Sequence, residues 1–220
     1  MPAPTWSWRR RTAGPRSSTA SPRPSPRRPS AASSRPCSGA SGRTTCWCSP
    51  AACPGRTGGA VRDARRRRAG EGARTLVDAS GRWLQATLPA GPDLVKVNLA
   101  ELADALGVTG QACWRDGGSL VPAVRGLVLS RGPRGARVWS AGRRCNVTVP
   151  RQAVVSAVGA GDAMTAGLAS GIAAGLALTA AVAQGVAWGA AAVRELDLTL
   201  DGGVAREIAH QVRVAGCVRA

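Results

Sequence analysis

No leucine, isoleucine or valine occurs in the first 60 residues of this 220-residue chain. A chain that cannot bury branched aliphatic surface cannot offset the conformational entropy lost on folding. The same stretch holds 10 of the 15 prolines, 10 arginines, four of the seven cysteines and no Asp or Glu. Neither the helical nor the strand hydrophobic period can be written on it. It therefore reads as a disordered, Arg/Pro/Ser-rich segment. Charge divides at the same place: residues 1–75 carry 16 arginines against Asp63 and Glu71, and account for +14 of the net +18. The remainder is nearly balanced, and a foldable region starts at about Gly70. The chain is accordingly divided into residues 1–70 and a domain over 71–220.

Several classes fall away. Seven unevenly spaced cysteines and a single histidine, His210, make neither a disulfide framework nor a zinc site. Cys46, Cys48 and Cys53 lack a fourth ligand nearby. Trp6-Ser7-Trp8-Arg9-Arg10-Arg11 has a twin-arginine look, but no apolar stretch follows it. Unpaired cysteines in the foldable part predict a reducing, cytoplasmic setting. The basic segment, ending in Arg65-Arg66-Arg67-Arg68, has the composition of a nucleic-acid-binding arm. A competing account is favoured here. One lysine against 29 arginines points to a very GC-rich gene. Read one base out of register, the codons from Gly42 to Pro54 can give Ala-Asp-Asp-Val-Leu-Val-Leu-Ala-Gly-Ser-Leu-Pro, a buried strand followed by a turn. Residues 1–70 are thus expected to be a frame-shifted translation. The alternatives are a genuine basic arm that binds nucleic acid, or a gene product without function.

From Arg74 onward, strand and helix alternate. Thr75-Leu76-Val77-Asp78 is a short apolar run, and a helix follows from Ala79-Ser80-Gly81 to about Leu88, broken by Pro89, Gly91 and Pro92. Asp93-Leu94-Val95-Lys96-Val97 is the next strand, and Asn98 is a helix cap before Leu99, Leu102 and Leu106, with Gly107 as the stop. Gly126-Leu127-Val128-Leu129-Ser130 is a third strand, with a hairpin partner at Ala136–Ser140 after the glycine-rich 131–135 loop. The pattern predicts an α/β fold on a mostly parallel sheet, with ligands beyond the strands' carboxyl ends. Residues 163–193 contain no charge and place Gly167, Gly171 and Gly175 at four-residue spacing. Such a stretch could span a membrane, but Ala and Gly dominate and Gly175–Thr179 offers a break, so two closely packed helices are expected.

The segment Val158-Gly159-Ala160-Gly161-Asp162-Ala163-Met164 runs a small-residue loop into that helix. Free amides and the positive helix end converge there, a setting for an anion. Asp162 could equally serve as a plain first-turn carboxylate. Together with Lys96-Val97-Asn98-Leu99-Ala100-Glu101 and Ser130-Arg131-Gly132-Pro133-Arg134-Gly135, the segment resembles the carboxyl-terminal half of the ribokinase/PfkB family of carbohydrate kinases. Leu76-Val77-Asp78-Ala79-Ser80-Gly81 is most similar to the 1-phosphofructokinase and tagatose-6-phosphate kinase branch.

The resemblance implies a partial ribokinase-like three-layer α/β/α fold and ATP-dependent phosphoryl transfer to a hydroxyl of a sugar or sugar phosphate. It makes Asp162 the general base, with the amides of Gly159, Ala160 and Gly161 holding charge that develops on the transferred group. It makes Asn98 and Glu101 the pair that organises Mg²⁺. Lys96, Asn98, Ser130, Gly132 and Gly135 become ATP-side residues. A homodimer is a family expectation. The family's glycine-rich sugar-binding element has no counterpart here, and Arg194–Leu200 replaces the loop beside the adenine. Impaired turnover, an open sheet edge and poor stability are expected in consequence.

Overall fold

The computed structural model describes residues 74–196 and 200–219 in full, together with the backbone of Cys37–Ser38 and Thr44–Cys48. Eight strands form one sheet in sequence order: β1 (Cys37–Ser38), β2 (Thr44–Cys48), β3 (Arg74–Asp78), β4 (Leu94–Asn98), β5 (Gly126–Ser130), β6 (Ala136–Ser140), β7 (Arg143–Thr148) and β8 (Arg213–Arg219). β2 to β5 run parallel, whereas β1 and β6 to β8 are antiparallel to their neighbours. The sheet is therefore mixed, not mostly parallel as the strand–helix alternation suggested. Connection length is the cause. The links from β5 to β6 and from β6 to β7 are too short to hold a crossover helix, so each reverses the chain.

β1 and β2 fall inside the stretch that lacks branched aliphatics. A strand needs only backbone partners and tolerates Thr and Trp well, and β2 is Thr-Thr-Cys-Trp-Cys, paired residue for residue with β3. β2 also occupies the positions at which the shifted frame reads Asp-Val-Leu-Val-Leu. The rest of 1–73, including the expected arm and Cys53, lies outside the described residues.

Side-chain alternation along the central strands feeds both faces of the sheet. Val77, Val95, Val97, Leu127 and Leu129 point into one core with Leu84 of α1 (Gly81–Thr87), Leu102 of α2 (Leu99–Leu106) and Cys113 of α3 (Gly110–Leu120). Leu76, Leu94 and Val128 point the other way, against Met164 and Leu168 of α4 (Ala160–Ala173) and Val182 and Val186 of α5 (Leu178–Ala192). Helices on both faces make the expected three-layer α/β/α arrangement. A last helix, α6 (Gly202–Gln211), packs Ala205 and Ile208 against Ala187 and Ala191 of α5.

One polar device and one steric one fix the strands and their turns. Asp93 Oδ2 accepts from the Thr75 amide at 2.9 Å and from its hydroxyl at 3.0 Å, while the Asp93 amide donates back to Thr75 Oγ1 at 2.8 Å. After β5, Gly135 sits at φ +78°, and a β-carbon there would lie 2.1 Å from the Val147 carbonyl oxygen, so only glycine fits this turn.

The uncharged 163–193 stretch is two helices broken at Gly175, with φ +80°. Their glycines admit backbone into backbone: a β-carbon on Gly167 would stand 3.0 Å from Gly185 Cα, and one on Gly185 would stand 2.6 Å from the Met164 carbonyl oxygen. No described helix is long and apolar enough to cross a membrane.

The cysteine reading needs correction. Cys145 on β7 and Cys217 on β8 are bonded, 72 positions apart in sequence. Uneven spacing concealed the pair because strand register, not sequence separation, brings them together. Cys113 is free and buried, and burial pushes its thiol pKa up. Exposed apolar surface is present where the chain approaches α4, at Val154, Val155 and Val158.

Candidate active site at the carboxyl ends of the parallel strands

Three adjacent parallel strands end at one place. Asp78, Asn98 and Ser130 are the last residues of β3, β4 and β5, and α4 begins beside them. Between them lies a cleft of about 880 Å³, whose lining includes Asp78, Lys96, Asn98, Glu101, Ser130, Arg131, Gly132, Gly161, Asp162 and Thr165. Seven residues singled out from sequence thus meet in one cavity: Lys96, Asn98, Glu101, Ser130, Gly132, Gly161 and Asp162.

Three others do not line it. Gly159 caps α4 in a left-handed conformation, φ +78°, and Ala160 is the first helical residue, so both shape the amide turn instead. Gly135 is buried at the β5–β6 turn.

On β4, Val95 and Val97 face α1 to α3 and leave Lys96 between them to face α4. The ammonium is 2.9 Å from Asp78 Oδ2 across the parallel pair, and the lysine is 5% exposed. Thr165, one turn into α4, donates its hydroxyl to the same Asp78 oxygen and lies 3.0 Å from the Gly161 carbonyl oxygen. A β-carbon on Gly161 would approach Lys96 Nζ to 3.3 Å, so glycine leaves room for the ammonium under the helix start. Asp78 and Thr165 were not among the residues singled out. The available signals were an Asp closing a buried strand, and a lysine between two inward valines that required a buried partner.

Asn98 and Glu101 form a reciprocal capping box on α2. Asn98 Oδ1 accepts from the Glu101 amide at 2.8 Å, and Glu101 Oε2 accepts from the Asn98 amide at 3.0 Å. Glu101 lines the cleft, and its Oε1 accepts no hydrogen bond among the described residues. Asp162 is exposed in the first turn of α4, where the helix dipole favours its charge. Ser130 Oγ donates weakly to the Val97 carbonyl at 3.4 Å. The cleft thus combines a helix-start amide turn with two carboxylates and a buried lysine–aspartate pair, a set suited to a phosphorylated ligand and a proton acceptor.

Against known families, residues 41–201 match the model of the pfkB family carbohydrate kinases. The chain belongs to this family. The matched range includes thirty residues of the segment read as out of frame. Within the pfkB family, a 1-phosphofructokinase of Rhodobacter capsulatus is 42% identical over 101 residues, covering 44% of this chain and 32% of the relative. Phosphofructokinase-2 of Escherichia coli in complex with substrates and products superposes with a TM-score of 0.62 at 27% identity, over 71% of this chain and 53% of that one. The tetrameric inhibited form of the same enzyme gives 0.60 at 26%, over 70% and 50%. This pfkB chain therefore spans about a third of the curated relative and about half of each solved structure.

Proposed function

We propose that this chain carries the nucleotide-side half of an ATP-dependent kinase that phosphorylates a hydroxyl of a sugar or sugar phosphate, of the hexose-phosphate type. The observation carrying this reading is the convergence of the α4 amide turn, Asp162 and the Asn98–Glu101 pair on one cleft at the strand ends. Asp162 accepts the proton from the acceptor hydroxyl as its oxygen attacks the γ-phosphorus of ATP, and ADP departs. The Gly161 amide, at the end of the turn that Gly159 and Ala160 shape, faces the charge spreading over the transferred group.

The donor set fits Mg²⁺. Among the described residues no cluster of three or more acidic, His or Cys side chains could cage an ion. Mg²⁺ does not require one, since it keeps several waters and is held by one or two carboxylates plus substrate phosphates. Glu101, through its free oxygen, and Asn98 would hold it by way of those waters. When bound, the ion neutralises phosphate charge. Residues that choose the sugar belong to the half with no counterpart here, so turnover by this chain alone is expected to be impaired. Self-association is the accompanying family expectation, tested by sedimentation.

Asp162→Asn separates the base from the binding site. In that variant transfer to fructose 1- or 6-phosphate should be lost while MgATP binding, followed by calorimetry, is retained. Transfer that survives the substitution would remove Asp162 from the role.

A further inference from the structure

The cleft's charges leave one cation unspent. Five ionisable side chains line it: Asp78, Lys96, Glu101, Arg131 and Asp162. Lys96 is neutralised by Asp78 at 2.9 Å. Glu101 and Asp162 are both negative, so without Arg131 the wall meeting a polyphosphate would carry two net negative charges. Arg131 follows directly on β5, in the loop whose backbone is pinned by its own amide donating to the Gly135 carbonyl at 2.8 Å. Its guanidinium lies 4.9 Å from the centre of the Trp114 ring and has no hydrogen-bond acceptor or carboxylate among the described residues. A second arginine approaches the same ring. Arg137 sits 4.2 Å from the same ring and donates to the Trp114 carbonyl and, at 2.7 Å, to Asn146 Oδ1. Burial lowers the Arg137 pKa, and the charges of Arg144 and Arg131 lower it further.

We propose that Arg131, seated on Trp114, is the residue that receives the nucleotide's polyphosphate in this chain, with Trp114 as a positioning residue. This rests on the nucleotide reading of the cleft. An arginine held by a ring face keeps all its N–H donors for an anion, and its planar fork matches phosphate oxygens in pairs. Repulsion from Arg137 favours an anion next to Arg131 over an empty cleft.

The full-length chain is titrated calorimetrically with MgATP, with inorganic tripolyphosphate and with adenosine. Arg131→Ala should weaken MgATP and tripolyphosphate about tenfold, the size of a lost charge-assisted hydrogen bond, and leave adenosine unchanged. Arg131→Lys should recover part of the loss. Arg134→Ala, exposed in the same loop but outside the cleft lining, should have no effect. Trp114→Leu should weaken tripolyphosphate severalfold, and Trp114→Phe should restore it, since the ring and not the indole N–H is what holds Arg131. Equal affinities in wild type and Arg131→Ala, or an equal loss in Arg134→Ala, would overturn the proposal while leaving the kinase reading intact. Tripolyphosphate binding that depends on Arg131 without any MgATP binding would overturn the kinase reading and, with it, the proposal that rests on it. Binding of neither probe to the wild type would overturn both.

Discussion

At the scale of single residues, the buried Lys96–Asp78 pair places a stability requirement inside the cleft itself. Desolvating two opposite charges is tolerable only while each keeps its partner. Lys96→Met would leave Asp78 with the Thr165 hydroxyl alone, and urea unfolding should register a loss of about 3 kcal/mol. Adding Asp78→Asn to that variant should recover most of it, because the uncompensated charge, and not the missing contact, dominates the cost. A double substitution as unstable as the single would show that packing governs this position. Sequence pattern located Lys96 correctly on a strand, but could not name its partner. Two residues 18 apart become neighbours only through the parallel register of β3 and β4. Thr165, 87 residues from Asp78, was beyond reach for the same reason.

At the scale of elements, what was legible depended on burial. β4 and β5, buried on both faces, read as short aliphatic runs, interrupted in β4 by Lys96, and the Asn98 cap and Gly107 stop of α2 followed from capping chemistry. α3 escaped because Gly117 and Gly118 interrupt it and Asp116 leaves helical geometry. Those glycines have a purpose that only packing shows: a β-carbon on Gly118 would lie 2.7 Å from Trp139 Cδ1. β8 escaped because all seven of its residues are exposed, so it carries no hydrophobic period. The α4–α5 contact yields a contrast to measure. Gly185→Ala gains helix propensity of about 1 kcal/mol but forces a methyl against the Met164 carbonyl, and should be net destabilising in thermal melts. Gly202→Ala, in open space at the start of α6, should stabilise by about 0.5 kcal/mol. If both substitutions stabilise, the helices are not in the contact described.

At the scale of the whole molecule, the sheet has two unlike halves. The parallel half presents its strand ends to the cleft, and the antiparallel half carries the covalent bond between β7 and β8. Closing a loop of that length removes denatured-state entropy worth about 4 kcal/mol in the chain-entropy model. A reducing agent should therefore lower the melting temperature measurably, and Cys217→Ser should reproduce the drop and abolish its dependence on reductant. A melt indifferent to reductant would mean that the bond does not form in solution. The amino-terminal composition misled where it implied that nothing before Gly70 could enter the sheet, since β2 pairs through its backbone with β3. Every described strand after the first lies beside its immediate predecessor, and among the described residues none from upstream is threaded between later ones. A change confined to the chain ahead of Arg74 would therefore alter this sheet from one margin, like pages lost from the front of a book. The pairings that bring Asp78, Asn98 and Ser130 together run between β3, β4 and β5 and do not pass through that margin.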